Sequence, residues 1–330
     1  MPPHKVIYDT DPGVDDAMGL LFLHHHPDIE LLGITTVFGN AEIDVTTRNA
    51  RYLHQEWKLK CPIAKGAGET FWPNRVSGDP PVHIHGHDGL GNVAKNNDDF
   101  FKLLEGAPPL DPRPAAQFMI DTINANPPQT VSIVAVGRMT NLANALKIDP
   151  SIAERVQQVV IMGGAFDVKG NVTPAAEANI HGDPEAADVV CTAKWPLRCI
   201  GLDVTMQTIM TRTRLKEIAD AAGKRGQLLF DVSQFYLDFY EGVVDDGMAV
   251  HDSCACAYVV APELFQMRSG PVRVVCGGLA DGMTIQKPDG KVFGPSPAWE
   301  KVPSQQVAIG IDAPAILKLI HDSIVSVKEE

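Results

Sequence analysis

Apolar and polar positions along the chain fall into blocks of two alternating kinds. "KVIYDTD" is a short apolar run of the sort a buried strand needs, and "VDDAMGLLFLHHH" spaces its apolar residues as a helix does. "IELLGITTVFG" is rich in β-branched residues and reads as a second strand; "EIDVTTRNARYLHQEW" reads as a helix and "CPIAKGAG" as a short strand. Beyond residues 70–98 the rhythm resumes. A helix near 113–125 precedes the strand "TVSIVAVG", and Asn141 opens the helix "NLANALKI". The strand "VQQVVIMGGAF" leads through a Gly-punctuated loop, 167–181, to the helix "DPEAADVVCTAKW", with Pro184 in its first turn. "PLRCIGLDVT" reads as a strand, 212–241 as mostly helical, and "HDSCACAYVVAPELF" as the start of another helix. The last part offers a hairpin-like "MTIQKPDGKVFG", the strand "SQQVAIGI" and the closing helix "APAILKLIHDSIVSV". Strands alternating with helices predict an open, mainly parallel α/β sheet flanked by helices. With no repeat and no linker, residues 1–330 are expected to form a single domain.

Composition narrows the function classes. Hydrophobic residues make up 45% and charged residues 21%, ordinary values for a globular chain. A formal net charge of −13 argues against nucleic acid or an anionic membrane as partner, because both require basic surface. No apolar run is long enough to span a bilayer and the N-terminus has no signal-peptide pattern, so a cytoplasmic protein is expected. The six cysteines (Cys61, Cys191, Cys199, Cys254, Cys256, Cys276) lack CxxC spacing and are expected to be reduced. His24, His25 and His26 close the first predicted helix, where polar or cationic residues are favoured.

The chemistry concentrates where strands end. "DTDPGVDDA" crowds Asp9, Asp11, Asp15 and Asp16 just after the first strand. Two like charges about 4 Å apart repel by roughly 4 kcal/mol at an effective dielectric near 20, so a bound cation, a helix N-terminus or solvent must offset the cost. Capping alone accounts for Asp15 and Asp16 but leaves Asp9 and Asp11 unexplained. Hard oxygen ligands suit Ca²⁺ or Mg²⁺, and the spacing is not that of an EF-hand: position six from Asp9 is Val14 and position twelve is Leu20. "FGN", "IVAVG", "VVIMGG" and "CIGLDVT" bring Asn40, Val136, Met162 and Asp203 to other predicted strand ends. The long polar stretch 70–98 has the character of a binding loop; its "HIHGH" places His83, His85 and His87 at alternate positions, with zinc less favoured than a substrate contact. His251 and Asp252 form a second acidic helix start, and a histidine there can deliver a proton near neutral pH.

These motifs together, "DTDPGVDDA", "FGN", "IVAVGRMTNLA", "IMGGA", "GNVTPAAEANIHGDPEAA", "GLDVT" and "AVHDSCACAY", resemble the inosine–uridine-preferring nucleoside hydrolases in order and over essentially the whole chain. The resemblance implies a Rossmann-like core and hydrolysis of the N-glycosidic bond of ribonucleosides, purine or pyrimidine, to free base and ribose. It implies one Ca²⁺ held by Asp11, Asp16, Asp252 and the carbonyl of Val136, with Asp11 also taking a proton from the metal-held water. It assigns Asp15, Asn40, Asn171, Glu177 and Asn179 to the ribose hydroxyls, Met162 to the sugar pocket, and His85 and His251 to the base side, with His251 as candidate acid. Asp9 would orient the metal-binding carboxylates from behind. Family members are homodimers or homotetramers, and the same is expected here.

The pattern has departures. Ala178 stands where many relatives carry an aromatic residue, Ser253 where proline is common, and "GHDGLGN" where "GESGLDG" is usual. Tyr236 and Tyr240 are candidate base contacts or core aromatics of a helix. Two other readings stay open: a non-catalytic, calcium-dependent nucleoside-binding protein, and a haloacid-dehalogenase-type phosphatase using Asp9 as nucleophile and Asp11 as acid.

Overall fold

A computed structural model describes residues 2–75, 78–96 and 99–327. Eleven strands are described: β1 (His4–Thr10), β2 (Ile29–Thr36), β3 (Ile63–Lys65), β4 (Val131–Ala135), β5 (Gln158–Met162), β6 (Leu197–Ile200), β7 (Ile209–Met210), β8 (Met248–Ala249), β9 (Phe265–Val274), β10 (Thr284–Gln286) and β11 (Ser304–Ile311). Nine of them form one sheet in the order β10-β9-β11-β6-β5-β4-β1-β2-β3, while β7 and β8 make a small antiparallel ribbon. Within the nine-stranded sheet every described pairing from β11 through β6, β5, β4, β1 and β2 to β3 is parallel, and the β11–β9 and β9–β10 pairings are antiparallel. The mainly parallel α/β sheet expected from the sequence is therefore present.

Alternation along the central strands divides the apolar residues between two layers. Val6 and Tyr8 of β1 face a layer that includes Leu21 from the helix Val14–His25, Leu229 from Gly223–Tyr240, Cys256 from His251–Tyr258 and Ile320 from Ala313–Ser326. Ile7 faces the opposite layer, with Phe118 from the helix Ala115–Ala125, Leu142 from Thr140–Ile148 and Val190 from Pro184–Thr192. Each fully buried Leu or Phe contributes about 1.5–3 kcal/mol, so both layers are large stabilising terms. Gly33 lets one of them close: a Cβ there would lie 2.3 Å from Phe118 Cζ, so Gly33→Ala would displace the Phe118 ring.

Some expectations are corrected. "PLRCIGLDVT" is not one strand: β6 ends at Ile200 and Leu202–Thr205 forms a single helical turn. The cause lies at Gly201, where the chain passes so close to Gly164 that a Cβ would sit 2.6 Å from its carbonyl oxygen. Asp203 does not sit free at a strand end; its carboxylate accepts the backbone N–H groups of Phe166 (3.0 Å) and Asp167 (2.7 Å). The helical stretch 212–241 is two helices, Arg212–Ala221 and Gly223–Tyr240, broken where Gly223 adopts φ +62. Strand β9 had no counterpart in the sequence reading, because Gly270 and Pro271 interrupt its pattern. Pro271 lies just past the end of β10, whose last pairing is Gln286 with Val272, so no strand on that side calls for its missing N–H. Within the long stretch 70–98, Val82–His85 and Val93–Asn96 form single helical turns, and positions 76, 77, 97 and 98 lie outside the described residues.

Candidate active site

The strand order reverses between β1 and β4, because the chain runs outward from β1 through β2 to β3 and then returns to place β4 on the other side of β1. At such a switch point the connections leave in opposite directions and open a crevice beyond the strands' carboxyl ends. Asp11 follows β1 there and Val136 follows β4, with the Val136 N–H donating to the Asp9 carbonyl at 2.8 Å.

Two helix starts converge on this crevice. Asp15 and Asp16 lie in the first turn of Val14–His25, and Asp252 in the first turn of His251–Tyr258. The two helices pack closely at Gly19, where a Cβ would come within 3.1 Å of Cys256 Sγ. One carboxylate oxygen from each of Asp15, Asp16 and Asp252 lies within 4.8 Å of the others, and all three residues are buried. Asp16 is held by Thr10 Oγ1 (2.5 Å), the Gly13 N–H (2.9 Å) and Asn40 Nδ2 (3.0 Å). Asp11 lies alongside. Its Oδ2 accepts the Asn40 N–H at 2.7 Å, while Oδ1 is buried with no partner among the described residues. Gly39 and Gly137 make room for it: a Cβ at either would fall 2.0 Å or 2.4 Å from an Asp11 carboxylate oxygen.

Burial acts on every carboxylate here, and repulsion adds to it at Asp11, Asp15 and Asp252. Burial, then the charge of Asp16, pushes Asp15 up to about 8. Asp11 is raised well above the carboxylate range by burial and by Asp16, and Asp252 by burial and by Asp15, Asp16 and Asp11. Asp16 is also raised, by burial, although its hydrogen bonds oppose the shift. Such a cluster is costly unless protons or a cation offset it. A hard cation fits: the donors are oxygens, they converge, and the orphaned Asp11 Oδ1 points to an absent partner.

Asp9 stands apart from this cluster. Its Oδ1 accepts Thr35 Oγ1 (2.6 Å) and Asn141 Nδ2 (2.8 Å), and burial lifts it to about 7. The groups that position Asp11 and Asp16 are Thr10, Gly13 and Asn40, so Asp9 does not have the orienting contacts expected of it.

A second group of expected residues forms one wall. Asn179 Nδ2 donates to the carbonyls of Val136 (2.7 Å) and Met162 (3.1 Å), joining β4 and β5 across their ends. Glu177 is buried and accepts from the N–H groups of Gly164 (3.0 Å), Asn179 (2.8 Å) and Ile180 (3.1 Å), capping the short helix Ala178–Gly182. Asn171 is exposed and tied to this wall through the Ala178 N–H at 3.0 Å.

The opposite wall is aromatic. His85 is buried, while His83 and His87 are exposed, so the three do not share a face. The His85 ring stacks on Tyr236 with centroids 5.2 Å apart, and the Tyr236 hydroxyl reaches Asp15 Oδ2 at 3.5 Å. Tyr240 bonds His251 Nε2 at 2.7 Å, and Thr205 bonds His251 Nδ1 at 2.7 Å. Burial lowers His251 to about 4 and His85 to about 3, so both rings are neutral near pH 7. Tyr236 and Tyr240 are thus buried and bonded to site residues at once.

Nothing in the sequence marks Thr10 or Thr205 for the site, and Asn141 stands out there only as a helix start. Threonines in strands and turns are too common to stand out, and only "TNLA" after a strand end marked Asn141.

Fold and site together define an α/β enzyme with an acidic crevice at the switch point of its sheet. A family model described as inosine-uridine preferring nucleoside hydrolase matches residues 6–318. A probable uridine nucleosidase 2 of Arabidopsis thaliana is 37% identical over 97% of this chain and 97% of its own length. The inosine-uridine preferring nucleoside hydrolase of Leishmania major is 37% identical over 86% of this chain and 87% of its own. Among solved structures, a plant nucleoside hydrolase, the PpNRh1 enzyme, superposes with a TM-score of 0.89 at 33% identity, covering 99% of this chain and 100% of that one. The chain belongs to the inosine-uridine preferring nucleoside hydrolase family. It is a nucleoside hydrolase, an N-glycosidase in the nucleosidase class.

Proposed function

We propose that the protein hydrolyses uridine and inosine to free base and ribose, using a calcium ion and a water deprotonated by Asp11. The observation that carries this reading is the buried convergence of Asp15, Asp16 and Asp252 beside the unpartnered Asp11 Oδ1. Asp11, Asp16, Asp252 and the Val136 carbonyl would hold the ion. That carbonyl accepts one hydrogen bond, from Asn179, and keeps a second lone pair. When bound, calcium supplies positive charge that acidifies a coordinated water and orients the vicinal hydroxyls of ribose.

The chain's own groups supply the rest. Asp11 Oδ1 has no competing donor, so it can accept the proton of the attacking water while Asn40 holds Oδ2 in place. Asn40 spends both Nδ2 hydrogens on the Asp11 carbonyl and Asp16, leaving its Oδ1 to accept from a sugar hydroxyl. Asn179 likewise spends both of its hydrogens and offers its carbonyl oxygen; Asn171 accepts through Oδ1 and offers its Nδ2. Asp15 and Glu177 complete the ribose contacts, and Met162 borders the sugar. Loss of the base builds positive charge on the ribose, as in other glycoside hydrolyses, and the carboxylates stabilise it. On the base side, His85 and Tyr236 present stacked rings. The line Tyr240–His251–Thr205 occupies both imidazole nitrogens, so the leaving base would take the Tyr240 hydroxyl proton while a His251 protonated beforehand by solvent returns one to Tyr240 through Nε2 and ends as a neutral ring.

A ribonucleoside is the proposed partner, and a chain of net charge −13 is ill-suited to nucleic acid or an anionic membrane. Among the described residues no helix is long and apolar enough to cross a membrane. Cytoplasmic residence and assembly as a homodimer or homotetramer belong to the same proposal. The test is release of reducing sugar from uridine, cytidine, inosine and adenosine, each with calcium and after exhaustive chelation. Binding of nucleoside with no sugar released over hours would leave a binding protein, and full activity without metal would remove the ion.

A further inference from the structure

Between the aspartate turn and the His85 segment lies one side chain that serves neither as acid nor as ligand. Asn49, on the helix Ile43–Glu56, is wholly buried. Its Nδ2 donates to the Pro12 carbonyl at 3.1 Å and to the Asp88 carbonyl at 2.9 Å, using both of its hydrogens on two separate segments. Its Oδ1 accepts from Arg48 Nη2 at 3.1 Å, and that same nitrogen also reaches the Asp88 carbonyl at 3.1 Å. Arg48 is fixed in turn over the Phe100 ring, 5.3 Å from its centroid.

The two segments that Asn49 joins are those on which the chemistry depends. Pro12 lies between Asp11 and the Gly13 N–H that holds Asp16. Asp88 lies three residues beyond His85 in a loop that is rigid within itself. Its carboxylate accepts the N–H groups of Leu90, Asn92 and Ala94, each at 2.8 Å, and the Gly91 N–H donates to the His85 carbonyl at 2.8 Å. A loop stiffened in this way moves as a body, so holding one of its carbonyls places His85. The direct bond between the two segments is weak, with the Val14 N–H 3.5 Å from His85 Nδ1. Yet their approach is close, since a Cβ on Gly13 would stand 2.6 Å from the same nitrogen.

We infer that Asn49 is a positioning residue that registers the His85 loop against the aspartate turn, setting where the base-side histidine stands relative to the carboxylates. The inference rests on the reading of His85 as a base-side group.

The experiment is a double-mutant cycle on the calcium-loaded enzyme with uridine and inosine, comparing wild type, Asn49→Leu, His85→Ala and the pair. Leu nearly matches Asn in shape but removes both donors. The single change should lower kcat/KM about tenfold, chiefly through KM. In the His85→Ala background it should change kcat/KM less than about twofold, because the residue through which it acts is gone. An equal fold-loss in both backgrounds would mean general destabilisation and overturn the proposal. Amide exchange over residues 85–94 gives a reading without turnover. Faster exchange in Asn49→Leu supports the strap, and unchanged exchange refutes it. Should Asn49→Leu fail to fold, Gly89→Ala replaces it: a Cβ there meets Ala41 Cβ at 3.0 Å and Asn49 Nδ2 at 3.3 Å, and φ +73 adds strain. The same dependence on His85 is expected from it, and its absence would count against the strap. If wild type cleaves no nucleoside, the functional reading falls, while the exchange data still decide the placement of the loop.

Discussion

The helix Val14–His25 has titratable side chains buried or half-buried at both ends, and the two ends have opposite fates. At its C-terminus, His25 Nδ1 donates to the Ile324 carbonyl at 2.9 Å, and Arg225 donates to its Nε2 at 3.1 Å. His24 beside it is held down to about 4, first by burial and then by the neighbouring charges of His25 and Arg225. That end is electrically quiet: neutral rings with internal partners. Of the two kinds of helix end the sequence allowed, polar or cationic, these histidines are the polar kind. At the N-terminus, Asp15 and Asp16 face Asp252 with no basic side chain bonded to any of them among the described residues. Burial has been resolved within the chain at one end and left for something outside it at the other. Buried polar groups that find partners hold a fold together; those left in tension mark where a ligand belongs.

That contrast can be broken, and the largest effect is expected at Asp11. Replacing it with Asn should lower kcat by about 10³-fold, within the range for loss of a general base, while titration calorimetry still detects nucleoside binding. Comparable turnover by mutant and wild type would take Asp11 out of the mechanism.

Metal removal comes next. Calcium at about 100 times its Kd should restore about 2.7 kcal/mol to the stripped protein, visible as a rise in Tm of several degrees. Without metal, the sign of the pH dependence follows from Asp9 and Asp15, whose folded values of about 7 and about 8 lie above the ordinary 3.8. The native state then holds protons that the unfolded chain has released, so their contribution to stability falls as pH rises from about 4 to about 8. Urea melts of metal-free protein at the two ends of that window check this, and calcium should flatten the difference.

Smaller effects separate the remaining groups. Tyr240→Phe removes the hydroxyl from His251 and should cost about tenfold in kcat/KM, read in steady-state assays of all four nucleosides. His24→Gln, at the quiet end, should leave kcat/KM within about twofold. Its neutral ring contributes stability fully present above pH 6.5 and lost as pH falls toward 4, so the variant should melt with a shallower acid-side slope. A strong effect of His24→Gln on turnover would erase the distinction between the two ends.

Much of the fold was legible. β1, β2, β4, β5 and β11 lie where apolar runs predicted them; β4 and β5 are the plainest, because central strands buried on both faces must be apolar nearly throughout. β9 was not legible: its alternation is broken by Gly270 and Pro271, and it is a strand because β10 and β11 pair with it. The aspartates, Asn40 and His251 could be singled out because polar residues at strand and helix ends are conspicuous against apolar runs, and His85 because "HIHGH" stands in a long polar loop. Thr205 could not, since its part in the site depends on a helical turn that brings its hydroxyl to His251.

By itself the sequence determined the alternation of elements, the family and the residue types available for chemistry, since periodicity and motif are local properties of a chain. The tertiary structure alone decided which of those residues meet. Asp252 reaches Asp15 and Asp16 through the packing of two helices at Gly19, and Asn49 reaches both Pro12 and Asp88 because two distant segments turn their carbonyls toward it. The reason is physical: burial and partnership depend on distances in space, and a carboxylate's charge is costly or useful only once its neighbours are known.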